Sequence, residues 1–214
     1  MPSAFLLRAH PDALQRSKSA LLACQGWELA GSAQRGRDAL ERLPLLQPDL
    51  LLADERLLDG PLLRLLVRLE EEQLQIPVLM WTRQTEGPLL FDNLLHGVRD
   101  FLPEPGGPQA LAPLLDAALQ GRHRLNPSIA REVLRRLGAP RLPLDQAAQP
   151  AMARDAQGAG WRRLLSVAQQ ALLSLLAHGY LPREIAQAWR LEVEEVERRV
   201  GQLLRQLPRL APLG

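Results

Sequence analysis

The chain has 214 residues, 46% of them hydrophobic and 23% charged, which is enough apolar surface for a proper core, excludes wholesale disorder and favours two domains over one. A formal net charge of +2 and a pI near 9.3 are only mildly basic and do not by themselves announce nucleic acid. No apolar run approaches the roughly 18 residues of a membrane span and no leader pattern opens the chain, so the expectation is a cytoplasmic protein without membrane contact. The lone Cys24 permits neither an internal disulfide nor a cysteine metal cluster.

In chain order, short apolar runs alternate with longer periodic segments. Residues 4–7 read as a strand, 11–25 as a helix with Asp12 in its first turn, 27–32 as a strand and 37–46 as a helix. Residues 49–53 form a buried strand, 61–73 a helix with acidic Glu70, Glu71 and Glu72 at its end, and 76–81 a fourth strand. A helix over 87–96, a fifth strand over 98–102 and a helix over 108–120 complete the pattern. Continuous apolar strands alternating with helices predict an α/β domain with a five-stranded, doubly wound parallel sheet.

Beyond residue 120 the character changes. One more helix fits 127–137, and 138–160, rich in Ala, Pro, Gln and Gly without an apolar period, is the best linker candidate. Residues 164–178, 182–189 and 193–207 are three short helices that must pack together to be stable. The division expected is 1–121 for the α/β domain, 122–160 for a helix and linker, and 161–214 for an all-α domain.

Doubly wound sheets bind ligands outside the carboxyl ends of their strands. The residues there are Arg8 and Ala9, Asp54, Thr82 and Glu104. The run Pro48-Asp49-Leu50-Leu51-Leu52-Ala53-Asp54 is an apolar strand ending in an acid.

The first 120 residues resemble the receiver domain of two-component response regulators. The resemblance places the phosphoryl acceptor at Asp54, the switch hydroxyl at Thr82 and the switch aromatic at Phe101. His10 and Pro11 match the family, but Arg8 and Ala9 stand where two acids hold magnesium, and Glu104 stands where a lysine grips the phosphoryl group. Phosphoryl transfer to a carboxylate depends on cations to neutralise the developing charge, so the resemblance implies a degenerate phosphorylation site. Asp54 can then be a solvated acid after a buried strand, a remnant acceptor, or the partner of Arg8, which would supply a fixed cation to Asp54 or Glu104.

Helical geometry sorts the last segment. Val193, Val196, Val200, Leu203, Leu204 and Leu207 share one apolar face, leaving Glu194, Glu195, Glu197, Arg198, Gln202 and Arg205 to point outward. The stretch from Leu165 and Ser166, through Arg183-Glu184-Ile185-Ala186 and Trp189-Arg190-Leu191, to Val196, Val200 and Leu207 resembles the LuxR/NarL-type helix-turn-helix domain. That resemblance implies DNA binding through Arg183, Glu197, Arg198, Arg199, Gln202 and Arg205, with Arg162 and Arg163 as further phosphate contacts. The acidic start of the last helix suits the helix dipole but repels phosphates.

His10, His96, His123 and His178 lack metal-ligand spacing, and Ser166 and Ser174 have no partner base nearby in sequence. Neither a metal, a cofactor nor an enzymatic activity is expected. The reading is a phosphorylation-independent, response-regulator-like transcription factor, acting as a constitutive homodimer on DNA. The alternative is an adaptor whose receiver-like and helix-turn-helix domains dock partner proteins.

Overall fold

The computed structural model describes residues 1–82, 88–102, 108–149 and 165–210. It divides into two compact units, formed by the described residues of 1–84 with 92–120 and of 85–91 with 121–214.

In the first unit, β1 (Ser3–Leu7), α1 (Pro11–Leu22), β2 (Glu28–Ala33), α2 (Gly36–Leu46) and β3 (Leu50–Asp54) open the chain. A two-residue hairpin, β4 (Arg56–Leu57) with β5 (Gly60–Pro61), leads into α3 (Leu62–Glu71); β6 (Val78–Trp81), α4 (Pro88–Leu95, of which the division assigns 88–91 to the second unit), β7 (Val98–Leu102) and α5 (Pro108–Leu119) follow. The main sheet is parallel throughout with strand order β2-β1-β3-β6-β7, the doubly wound order whose reversal lies between β1 and β3.

The sequence dictates much of this locally. Leu50, Leu51, Leu52 and Ala53 are wholly buried, as a central parallel strand covered on both faces requires. Alternation then separates the faces. Ala4, Leu6, Leu50, Leu52, Leu79 and Leu102 pack in one core cluster with Leu14 and Leu21 of α1 and Leu111 and Leu115 of α5. Within α3, Leu62, Leu65, Leu66 and Leu69 are buried at the three- and four-residue spacing of an amphipathic helix. Gly31 in β2 makes room for the Phe5 ring, whose Cε2 would lie 2.9 Å from a Cβ there.

Element ends differ from the sequence reading by up to three residues, as at α3. The helix expected from residue 61 begins at Leu62, because Pro61 closes the hairpin. Asp59 in that hairpin accepts hydrogen bonds from the Gly36 and Arg37 amides at 2.8 and 3.0 Å and so caps α2 from a distance in sequence. Burial pushes the Asp59 pKa up, but the Arg37 and Gly36 amides outweigh it and hold the carboxyl below its ordinary value.

The second unit contains α6 (Pro127–Arg136), α7 (Leu144–Ala148), α8 (Val167–Ala177), α9 (Pro182–Trp189) and α10 (Val193–Leu210). Asn126 caps α6 by accepting from the Ser128 amide at 2.8 Å, and a capping box between Ser166 and Gln169 opens α8. Val196, Val200, Leu203, Leu204 and Leu207 of α10 are buried against the other helices. The part of the expected linker that the structure describes, residues 138–149, is not a free tether. It carries α7, α6 and α7 both pack on α8, and it is fixed by Leu142 N–H to Ser174 Oγ at 2.9 Å and Gln170 Nε2 to the Pro140 carbonyl at 2.7 Å. Residues 150–164, with the expected contacts Arg162 and Arg163, lie outside the described residues.

Candidate functional site

At the carboxyl edge of the parallel sheet, β1 delivers Arg8, β3 delivers Asp54 and β6 delivers Thr82. Arg8 is only 2% exposed. Its Nε donates to Asp54 Oδ1 at 3.0 Å, its Nη1 donates to Ser17 Oγ at 2.9 Å, and its guanidinium lies over the Trp81 ring, 4.2 Å from the centroid. The Ala9 amide donates to the other Asp54 oxygen at 3.0 Å. Both carboxylate oxygens are thereby engaged by protein donors. A buried charge tolerates desolvation only when it is paired and hydrogen-bonded, and this pair meets that condition.

Parallel register makes the pairing possible. Leu7 sits opposite Ala53 in the β1·β3 ladder, so the next residue of each strand, Arg8 and Asp54, meet at the edge. Of the three sequence readings of Asp54, the geometry is that of an ion pair with Arg8. Glu104 lies outside the described residues.

Magnesium, which receiver domains of ordinary composition hold at this edge, does not fit these residues. A guanidinium and a methyl group stand where oxygen ligands would be needed, and Arg8 Nε already occupies Asp54 Oδ1. Among the described residues, no group of three His, Cys, Asp or Glu side chains is placed to hold a metal ion. The Thr82 hydroxyl is turned toward Glu55, donating to Oε2 at 3.2 Å, and Phe101 is half-buried on β7. Sequence reasoning missed Ser17, Glu55 and the stacking role of Trp81. Ser17 carried one readable signal, a polar residue on the apolar stripe of α1 beside Leu14 and Leu21.

The helix-turn-helix face is built from α9 and α10. Arg183 on α9 and Arg198, Gln202 and Arg205 on α10 are exposed, while Arg199 is half-buried. Arg198 and Arg199 are both ion-paired with Glu195, the latter at 2.8 Å. The hydrogen bond from Arg199 holds the Glu195 carboxyl below its usual range, with the Arg198 and Arg199 charges adding to the effect against a burial penalty.

Glu197 is where the sequence reading fails. It was expected to point outward as a base reader, but it is 5% exposed. Arg124 Nε contacts its Oε1 at 2.9 Å, Arg122 Nη1 lies 3.7 Å from its Oε2, and the His123 amide donates to its main-chain carbonyl at 3.1 Å. The physical reason is Gly201, one turn further along α10. A Cβ there would overlap the Gly121 carbonyl and lie 2.6 Å from His123 Cδ2. The missing side chain opens a slot in which residues 121–124 lie. A glycine inside a helical pattern was the available signal.

No family model and no curated protein matches this sequence. Solved structures do resemble it. A complex of the two-component response regulator RcsB with DNA aligns at a TM-score of 0.54 and 16% identity, covering 97% of this chain and 92% of that one. The RcsB response regulator of Salmonella typhimurium aligns at 0.51 and 18%, covering 97% and 93%. The signal receiver domain of a NarL response regulator from Mycobacterium tuberculosis aligns at 0.52 and 21%, covering 56% of this chain and 98% of its own. The chain therefore has the fold of NarL- and RcsB-type response regulators, a five-stranded parallel receiver sheet followed by an all-α helix-turn-helix part.

Proposed function

We propose that this chain is a transcriptional regulator of the response-regulator type that binds DNA through α9 and α10 and works without phosphorylation of Asp54. The observation that carries the second half of this reading is the Arg8–Asp54 pair at 3.0 Å. An internal cation already neutralises the carboxylate, and both of its oxygens are bonded, so an incoming phosphoryl group meets neither a metal nor a free nucleophile. DNA binding is supported by the full-length likeness in fold to RcsB and by the exposed Arg183, Arg198, Gln202 and Arg205 on the two helices of the motif.

With no phosphoryl trigger, dimerisation on paired half-sites is constitutive in this reading. The described residues include no helix long and apolar enough to cross a membrane, and a regulator of this type acts in the cytoplasm. One observation favours the adaptor reading. Glu195 engages both Arg198 and Arg199, reducing the positive charge that α10 offers to phosphates. Gel shifts on duplex DNA at low and higher salt, with and without acetyl phosphate, separate the two. The regulator reading expects salt-sensitive binding that ignores the phosphodonor; no binding at either salt overturns it in favour of the adaptor.

A further inference from the structure

We propose that the cleft formed by α2, the β4·β5 hairpin and α3 is a docking site for an acidic segment of a partner protein, which seats one apolar side chain in the cleft between flanking carboxylates. The site belongs to the first unit alone, and its occupation does not depend on DNA binding by α9 and α10.

The cleft has an apolar floor and a cationic rim. Leu40 of α2, Leu57 of β4 and Leu65 of α3 line its interior, and Arg37, Arg64 and Arg68 stand around it with exposed side chains. Asp59 also lines it, but its two oxygens accept from the Gly36 and Arg37 amides at 2.8 and 3.0 Å, so its charge is spent on the N-terminus of α2. The guanidinia are held more loosely. Arg64 lies along Gly60, its Nη1 3.2 Å from where a Cβ of that glycine would be, and among the described residues no carboxylate pairs with it. Arg37 meets its chain neighbour Asp38 at 3.4 Å. Arg68 pairs with Glu71 and Glu72 at 2.9 and 3.4 Å on the surface; exposed pairs of this kind contribute little and exchange readily for an incoming carboxylate.

Size and charge together choose the occupant. The cleft holds about 170 Å³, below the roughly 300–1,000 Å³ of sites that enclose a whole small molecule, so it takes one side chain of something larger. Its apolar floor gains from burying hydrocarbon, whereas nucleic-acid phosphates would leave it empty. The rim calls for carboxylates. A guanidinium matches a carboxylate bidentately, and arginine around an apolar pocket is the composition of an interface hot spot. Three like charges around one cleft also repel one another, and an anionic partner relieves this. Leu58, exposed in the turn of the hairpin, extends the apolar surface beyond the cleft. A segment with a Leu, Phe or Met between aspartates or glutamates meets all of these demands.

The test is selection from a displayed library of random peptides against the full chain, with Arg64→Glu and Arg37→Glu chains as parallel targets, followed by fluorescence anisotropy of the enriched peptides. Both substitutions fall on exposed side chains, and a glutamate in the first turn of α2 suits the helix dipole, so both variants should keep the fold of the first unit. The expectation is enrichment of sequences with an apolar residue flanked by Asp or Glu, and binding about tenfold weaker to each variant, a factor that corresponds to about 1.4 kcal/mol. Serine in place of the apolar residue of the peptide should weaken binding by a similar factor. Recovery of no peptide above background by the parent, or of peptides without this pattern, overturns the site. Equal affinity for the parent and both variants overturns its placement in this cleft. Unchanged affinity of the serine peptide means that charge alone binds, and overturns the apolar seat. If a random-sequence DNA duplex, and no peptide, loses binding in both variants, the face is a nucleic-acid contact and the peptide site fails.

Discussion

Replacing Arg8 by alanine is the most direct challenge to the receiver-like edge. The guanidinium makes an ion pair with Asp54 at 3.0 Å, a hydrogen bond to Ser17 at 2.9 Å and a face contact with Trp81 at 4.2 Å. Removing one member of a buried pair costs about 3–5 kcal/mol because the other charge is left uncompensated. Asp54 keeps 18% of its side-chain exposure and the Ala9 amide, which places the expected loss near the lower end, about 3 kcal/mol with the Ser17 and Trp81 contacts included. Asp54→Ala alone strands the more deeply buried Arg8 and should cost a similar amount. The double variant removes both charges and should cost about 2 kcal/mol less than the sum of the two, the signature of direct coupling. Hydrogen exchange of β1 and β3 amides reads this inside the full chain, so that unfolding of the second unit does not mix with the first. Amides that open by global unfolding of the first unit should exchange about a hundredfold faster in Arg8→Ala. Additive costs, with a coupling below about 0.5 kcal/mol, would refute the claim that the pair is a unit.

Acetyl phosphate with magnesium should leave Asp54 unlabelled on a phosphate-affinity gel; stoichiometric labelling contradicts the phosphorylation-independent reading. Glu132 in α6 is held at a pKa of about 2, chiefly by its hydrogen bond to Arg135 and then by Arg136. A depressed carboxylate contributes stability above its unfolded pKa of about 4.3 and loses it as pH falls toward the folded value. Glu132→Gln should therefore flatten the acid dependence of α6 exchange between about pH 4.5 and 2, with an effect of no more than about 1 kcal/mol given its exposed arginine partners; an unchanged profile counts against the assignment. On DNA, Arg183→Ala should weaken binding to all sequences alike and lower the salt slope by about one, whereas Arg198→Ala should relax preference at one position by about 1–3 kcal/mol. Selection from a randomised library at two salt concentrations distinguishes them, and a uniform effect of Arg198→Ala would move that residue from base reading to the backbone.

Much of the fold was legible because it is written in local periodicity. The run of buried residues from Leu50 to Ala53 and the leucines of α3 each announce their environment within one element. Arg8 and Asp54 were also nameable in advance, because each ends a strand and parallel strands of one sheet bring such ends together. The hairpin β4·β5 was not, since two-residue strands carry no period. Nor was α7, whose single turn is held by partners on α8 more than by its own composition.

The sequence by itself determined the alternation of strands and helices, the helical character of the C-terminal part, and the presence of an arginine and an alanine, not acids, after the first strand. Tertiary structure alone decided where the charges went. Glu197 and Arg198 are adjacent in a run that reads as uniformly solvent-facing, yet one is buried against Arg122 and Arg124 while the other is exposed. Periodicity reports only which side of a helix meets the main core, and it is blind to a second segment of chain arriving on the flank. That arrival depends on the bare backbone at Gly201 and on two arginines more than seventy residues away in sequence, as the 73-residue separation of Arg124 and Glu197 shows. Such contacts are set by the path of the chain in space, because an ion pair depends on the distance between its charges and on their shared desolvation, whatever their separation in sequence.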